Sequence, residues 1–91
     1  MEITEVKVFP VRKGDDKLKA FVTITLDGCF VVRDLKVIQG HTGLFVAMPS
    51  RRKQDGTYVD IAHPLNQETR EQMEAMILDA YEDSFRAEAG T

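Results

Sequence analysis

The chain carries one run of three adjacent cations, which we call the basic cluster: Arg51, Arg52 and Lys53. Its net charge is −3, so overall composition does not account for such a run. Pro49 and the Asp55-Gly56 pair flank the cluster with residues typical of chain reversals, between two strand-like apolar segments at residues 44–48 and 58–61. The pattern predicts a β-hairpin with the basic cluster exposed at its tip.

A phosphate backbone is the commonest partner of an exposed basic cluster. Each guanidinium can hold a phosphate through paired hydrogen bonds, while Lys53 adds a compact charge and the hydroxyl of Ser50 can also donate. Such contacts position a nucleic acid but do not read its sequence. The alternative interpretation is a solvated loop that only keeps the protein in solution.

Sequence preference requires side chains that stack on bases or reach their edges. Phe21 and Phe30 are candidates if they lie on the outer face of the sheet, although aromatic residues at strand spacing more often belong to a core. The same expectation of burial applies to Phe45 and Tyr58. No standard nucleic-acid-binding motif occurs, which predicts moderate specificity.

Two charged residues interrupt the apolar string FVVRDLKVI. We expect Arg33 and Asp34 to form an ion pair or a hydrogen bond at a dimer interface, because a charge in a paired strand usually has a partner. The alternative is a phosphate contact from Arg33, which makes Arg33 and Lys36 candidate secondary contacts.

No catalytic or metal site is predicted. Asp60 and His63 have no nucleophile associated with them, and His63 is better explained as a boundary residue that bonds free backbone groups. His41, His63 and Cys29 lack the close spacing of a zinc site, and Cys29 is expected to be a small buried hydrophobe. We therefore expect no cofactor, no metal and no small-molecule substrate.

Composition indicates one small domain. A chain of 91 residues can form a real but small core, so dimerisation would help it. The single cysteine allows no internal disulfide, and there is no leader-like start or run of about 18 apolar residues, which makes the cytoplasm the expected location, with no membrane contact. Residues 1–64 hold ten Lys and Arg against eight Asp and Glu, whereas residues 65–91 hold two against seven. A polyanion should therefore approach the first part.

Alternation and turn signals predict the elements that position these residues. Apolar alternation at residues 4–8 and 18–26 indicates two strands joined at Gly14-Asp15-Asp16, and Asp27-Gly28 predicts a type I′ turn into a strand at residues 29–38. With residues 44–48 and 58–61, this gives an antiparallel meander of about five strands. The period then changes to that of a helix capped by Asn66, with one apolar stripe: Met73, Met76, Ile77, Ala80 and Tyr81.

Longer strings in the chain match a known family. They are MEITEVKVFPV at the start, CFVVRDLKVIQG at residues 29–40, and FVAMPSRRK followed by DG and DIAHP. From Met1 to about Glu82 the chain closely resembles the stage V sporulation protein G (SpoVG) family of bacterial septation regulators. The resemblance implies a small dimeric regulator, not an enzyme, with a β-sheet and a helical C-terminal part, which binds DNA and RNA through the basic cluster. Residues 83–91 match no family pattern.

We therefore predict a single α+β domain over residues 1–91, with a sheet part at 1–64, a helical part at 65–88 and a frayed tail at 89–91. A homodimer would bind DNA and RNA through Ser50 and the basic cluster, and would act in septation, sporulation or gene expression. The alternative is a protein-interaction adaptor, in which the basic cluster docks an acidic partner and the helix carrying Met73 and Met76 packs on a second chain.

Overall fold

A computed structural model describes the backbone of residues 2–11 and 17–89, with side chains as far as Ser84. The predicted turn at Gly14-Asp15-Asp16 lies outside the described residues, as do Gly90 and Thr91 of the predicted frayed tail. The elements run in this order: β1 (Ile3–Pro10), β2 (Leu18–Leu26), β3 (Phe30–Gly40), β4 (Gly43–Ala47), β5 (Ser50–Arg52), β6 (Tyr58–Asp60) and α1 (Gln67–Ala89).

The first four strands form one antiparallel sheet in sequence order, β1-β2-β3-β4. The predicted reversal between β2 and β3 is confirmed, since Asp27 and Gly28 have φ of 50° and 66°. The start of the chain reinforces this turn: the amide of Glu2 donates to Asp27 Oδ1 at 2.9 Å, and the amide of Gly28 donates to Thr4 Oγ1 at 2.9 Å. The turn thereby fixes the register of β2 against β3.

The helix packs across one face of this sheet. Alternate residues of the strands point toward it, as the apolar alternation predicts, and together with two helix residues and Met48 they form the core: Ala20, Val22, Ile24, Leu35, Val37, Val46, Met48, Ile77 and Tyr81. Burial raises the pKa of the Tyr81 phenol above its ordinary value. The opposite face, which we call the outer face, carries the intervening residues.

The helix begins where the sequence predicts. Thr69 donates its backbone N–H to Asn66 Oδ1 at 2.8 Å, so Asn66 is the N-cap, and Glu68 lies in the first turn beside the positive end of the helix dipole. The predicted apolar stripe is correct for Ile77 and Tyr81. It is wrong for Met76, whose side chain is exposed.

The α+β class is confirmed, but the strands do not form one meander. Residues 58–60 pair with residues 50–52 in a separate two-stranded sheet, and among the described strands β4 pairs only with β3. Pro49 has no N–H to donate, so the ladder of β4 ends before it, and the chain starts a new hairpin at Ser50. Cys29 is also exposed, contrary to prediction, because it lies directly after the Asp27-Gly28 turn.

A β-bulge replaces the expected ion pair of Arg33 and Asp34. Val22 is opposite Leu35 and Ile24 is opposite Val32, so Arg33 and Asp34 both lie opposite the single residue Thr23. Asp34 adopts φ of 67°. The bulge leaves Arg33 and Asp34 exposed while Val32 and Leu35 both face the core side. Within the described parts of the chain neither residue has an ion pair.

Candidate functional site

The basic cluster lies on the two-stranded sheet of β5 and β6, which we call the ribbon. Arg51 pairs with Val59 and Arg52 pairs with Tyr58, so both arginines belong to a strand and only Lys53 enters the turn. The sequence placed all three at a loop tip, and the structure corrects that position. At the base of the ribbon the amide of Ile61 donates to the carbonyl of Pro49 at 2.7 Å. This bond ties the return strand to the end of β4.

The turn of the ribbon has a specific geometry. The amide of Lys53 donates to the Thr57 carbonyl at 2.7 Å, and the amide of Gly56 donates back to the Lys53 carbonyl at 3.0 Å. Gly56 has φ of 92°, a conformation that side chains with a Cβ rarely adopt. This is a three-residue hairpin loop closed by a glycine bulge, which matches the twist of the flanking strands.

Asp55 stabilises the turn from within. Its Oδ1 accepts hydrogen bonds from the Thr57 hydroxyl at 2.7 Å and from the Thr57 amide at 3.0 Å. The hydroxyl and then the amide lower the pKa of the Asp55 carboxyl, because both bonds favour its charged form. The carboxylate is therefore engaged with Thr57, and it makes no ion pair with the basic cluster in the described structure.

Strand alternation divides the cations between two faces of the ribbon. Ser50 and Arg52 share one face with their partners Asp60 and Tyr58, whereas Arg51 lies on the other face beside the half-buried Val59. All three cations are exposed and line an open depression of about 450 Å³ together with Gln54 and Asp55. No ion pair to the basic cluster occurs among the residues described, so its charges are available to a ligand.

Tyr58 is a residue that the sequence interpretation assigned to a core. Its side chain is 68% exposed and lies directly across the ladder from Arg52. Side chains in such a pair are separated by roughly 5 Å at Cβ, so an aromatic face and a guanidinium are presented together. The ribbon can thus offer a hydrogen-bond donor to phosphate and a stacking surface side by side. The RRK…DG…Y order of residues 51–58 carried this signal, but only the hairpin register brings the two side chains together.

Ser50 is exposed, as a donor to phosphate must be. However, its cross-strand partner is Asp60, a carboxylate that would repel a phosphate at that end of the ribbon. The ribbon is therefore most cationic toward its turn, at Arg52 and Lys53.

The candidate secondary contacts Arg33 and Lys36 belong to the other sheet. Arg33 is exposed at the bulge, and Lys36 is half-buried on the outer face, between Phe21 of β2 and Ala47 of β4. The structure therefore does not unite them with the basic cluster on one element.

The phenylalanines also differ from prediction. Phe21 and Phe45 lie on the outer face and are 39% and 43% exposed, so neither belongs to the core. Phe30 is 63% exposed but lies on the helix side, because its partner Leu26 packs against the core. Phe9, which the sequence did not single out, is 54% exposed on the outer face opposite Phe21.

The residues considered for catalysis or metal binding form no cluster. The ring Nδ1 of His63 lies 2.9 Å from the Pro64 carbonyl, which fits the predicted role of a boundary residue bonding backbone. No group of three His, Cys, Asp or Glu side chains in the described part of the chain is arranged to hold a metal ion. Within that part, too, no helix has the length and apolar character needed to cross a membrane.

Comparison with known proteins gives a consistent result. The SpoVG family model matches residues 1–83. A protein of Anaeromyxobacter sp. (strain Fw109-5) named "Putative septation protein SpoVG" is 69% identical over 86 residues, covering 94% of this chain and 87% of the relative. Proteins of the same name from Myxococcus xanthus (strain DK1622) and Bdellovibrio bacteriovorus are 65% identical over 91 residues and 64% identical over 87 residues. These alignments cover 99% and 96% of this chain, and 90% and 79% of the relatives.

Proposed function

The chain belongs to the SpoVG family, and from that premise we propose that it is a non-enzymatic regulator that binds the phosphate backbone of DNA and RNA. Its relatives are named for septation, which supports a role in septation or sporulation. The proposed contacts are Ser50 and the basic cluster, with Arg33 and Lys36 as secondary contacts.

One observation carries this proposal: three adjacent exposed cations have no ion pair among the described residues. The nearest carboxylate in sequence, Asp55, accepts its hydrogen bonds from Thr57 instead. Because these cations have no intramolecular ion pair to break, binding a phosphate costs little free energy, and each contact releases counterions from the nucleic acid. The ribbon therefore supports binding that depends strongly on salt.

The distribution of charge favours approach from the ribbon side. Residues 65–91, most of which form α1, carry seven acidic residues against two basic ones, whereas residues 1–64 have a basic excess. A polyanion is repelled by the helix and attracted to the sheets. This asymmetry orients an encounter before any hydrogen bond forms.

The geometry of the ribbon suits contacts to the phosphate backbone rather than base-edge recognition. Arg52 and Lys53 can bind phosphate at the turn, while Tyr58 offers its ring to a neighbouring base. Arg51 faces the other side and can engage a second phosphate. Such contacts depend weakly on sequence, so a dimer with two ribbons would gain affinity mainly through avidity.

The proposed homodimer is supported by apolar surface on the helix side. A groove of about 220 Å³ has a mainly apolar lining that includes Phe30, Met73 and Pro64. Leu65, the residue after Pro64, is 92% exposed. A second copy covering this region would bury surface that a small chain otherwise leaves in water. The outer face lies on the opposite side of the sheet and would stay accessible in such a dimer.

Fluorescence anisotropy with labelled duplex DNA across a salt series tests the proposal. The Arg51→Ala, Arg52→Ala, Lys53→Ala variant should bind more weakly, and its log-log salt slope should be flatter by up to about 3 per ribbon, at roughly 0.9 per phosphate lost. Arg70→Ala removes one cation from the acidic helix and serves as the control, with little expected change. Binding that the triple variant retains in full would contradict a site on the ribbon. If the wild type binds no nucleic acid but captures an acidic peptide, the adaptor function replaces this proposal.

A further inference from the structure

The outer face of the four-stranded sheet presents phenyl rings to water. Phe9 and Phe21 are directly opposite each other on β1 and β2, with 54% and 39% of their surfaces exposed. Phe45 on β4 is 43% exposed and pairs with Ile38, two residues from Lys36 on the same face. The residues that alternate with these phenylalanines along the strands face the core and are essentially inaccessible to water. No described element covers the outer face.

The position of Phe45 depends on a small neighbour. A Cβ at Gly40 would come within 3.1 Å of the Phe45 ring, so the ring lies close to the backbone of β3 where β3 turns toward β4. Together with the pair of Phe9 and Phe21, it makes a surface of rings spread over three of the four strands.

Cations surround these rings. Lys7 lies two residues from Phe9 on the same face, Lys36 is directly opposite Phe21, and Arg33 is exposed at the bulge opposite Thr23. An open depression of about 550 Å³ is lined by Lys7, Phe9, Phe21, Val22, Thr23, Arg33 and Asp34. The carboxylates on this face are Glu5, which lies 3.7 Å from Lys7, and Asp34 in the bulge. The rings are therefore bordered by a modest excess of positive charge.

We propose that the outer face is a binding surface for single-stranded nucleic acid, with unpaired bases stacked on Phe9, Phe21 and Phe45 and phosphates held by Lys7, Arg33 and Lys36. This inference rests on the proposed function and adds to it the class of nucleic acid that is bound. In a duplex the bases stack on one another and their faces are not accessible, whereas a single strand can splay its bases onto exposed rings. A phenyl ring does not sense the 2′-hydroxyl, so DNA and RNA single strands should both bind.

A second copy of the chain is a less suitable occupant of this face. Two outer faces packed together would remove Lys7, Arg33 and Lys36 from water with few carboxylates available to pair them, and buried unpaired charge is costly. A polyanion with flat apolar bases complements both properties of the surface at once.

The test compares labelled oligothymidylate and oligouridylate with a labelled duplex, using anisotropy. Replacing Phe9 and Phe21 together by Leu keeps apolar bulk but removes the aromatic rings, and single-strand affinity should fall by roughly five-fold to a hundred-fold. Duplex binding through the basic cluster should not change. The control is Met76→Leu, which alters an exposed apolar residue on the helix and should leave both affinities unchanged. Replacing Phe9 and Phe21 by Tyr should preserve binding because the rings remain.

Three results would overturn the inference, and they are distinguishable. If the Leu variant binds single strands as well as the wild type while the basic-cluster variant does not, nucleic-acid binding stands and the stacking surface fails. If the Leu variant dissociates into monomers in sedimentation and loses both probes equally, the outer face is an interface between copies. If the wild type binds neither probe, the proposed function itself fails.

Discussion

Substituting Gly56 by Ala should loosen the ribbon without affecting the main sheet. The residue closes the turn at φ of 92°, a conformation that costs a residue with a Cβ about 1–3 kcal/mol. Ala also restricts the unfolded chain, which returns about 0.4–1 kcal/mol, so the net loss should be about 1–2 kcal/mol. A new methyl group would lie 3.8 Å from Arg52 Nη2, an ordinary contact, so backbone strain and not steric clash sets the effect.

Amide hydrogen exchange measures this change locally. The Lys53 amide, bonded to the Thr57 carbonyl at 2.7 Å, should exchange about 5–30 times faster in the Ala variant. The amide of Val37 in the core sheet should keep its rate, because the ribbon is a separate sheet. An isolated pair of short strands is only marginally stable, so destabilising the ribbon should also lower its affinity for nucleic acid.

Two control variants separate strain from other effects at the turn. Gly56→Asn should perturb exchange less than Gly56→Ala, since Asn tolerates positive φ better than Ala does. Gln54→Ala changes an exposed turn residue without altering the glycine and should leave the Lys53 amide unaffected. Equal exchange rates for the Ala variant and the wild type would refute the assignment of strain to this position.

Three further predictions concern the core, the helix cap and the turn carboxylate. Ile77→Ala should lower the free energy of unfolding in urea by about 2–5 kcal/mol, whereas Met76→Ala at the exposed neighbouring position should cost about 0.5 kcal/mol; equal losses would contradict the burial pattern. Asn66→Ala should cost about 0.5–2 kcal/mol through the lost bond to the Thr69 amide, and Asn66→Asp should restore it. Thr57→Val should raise the pKa of Asp55 toward its ordinary value of 3.8 in an NMR titration. Because folding lowers that pKa, the contribution of Asp55 to stability is present at pH values above its ordinary pKa and is lost as the pH falls through its pKa in the folded protein. An unchanged titration in the Val variant would exclude the hydroxyl as the main cause.

The faces of the main sheet could be predicted from alternation, but their burial could not. Ala20, Val22 and Ile24 share a parity opposite to that of Phe21, so the sequence already separated Phe21 from the core set. The expectation that aromatic residues are buried prevailed over that parity. One helix covers only one face of a four-stranded sheet, and the outcome for Phe9 and Phe21 follows from that layer count.

The turn of the ribbon and its return strand at residues 58–61 were predicted from the sequence, but the first strand of the ribbon was not. Ser50–Arg52 has no apolar alternation, and each strand is only three residues long, so no periodic signal distinguishes it from a loop. Asp55-Gly56 correctly marked the reversal. The bulge at Asp34 was not predicted either. A residue other than Gly occupies the positive-φ position, so the sequence does not indicate that the alternation of inward and outward residues shifts there.

The most direct test of nucleic-acid binding by the ribbon is an NMR titration of the 15N-labelled protein with a short DNA duplex, following every backbone amide. If the ribbon binds the duplex, the largest shift changes should fall on Ser50 to Lys53 and on Tyr58 and Val59, with little change along α1. Their magnitude should decrease as salt is raised, since the contacts are to phosphate. Shift changes concentrated on α1, or none at any DNA concentration, would contradict the proposal that the basic cluster binds nucleic acid.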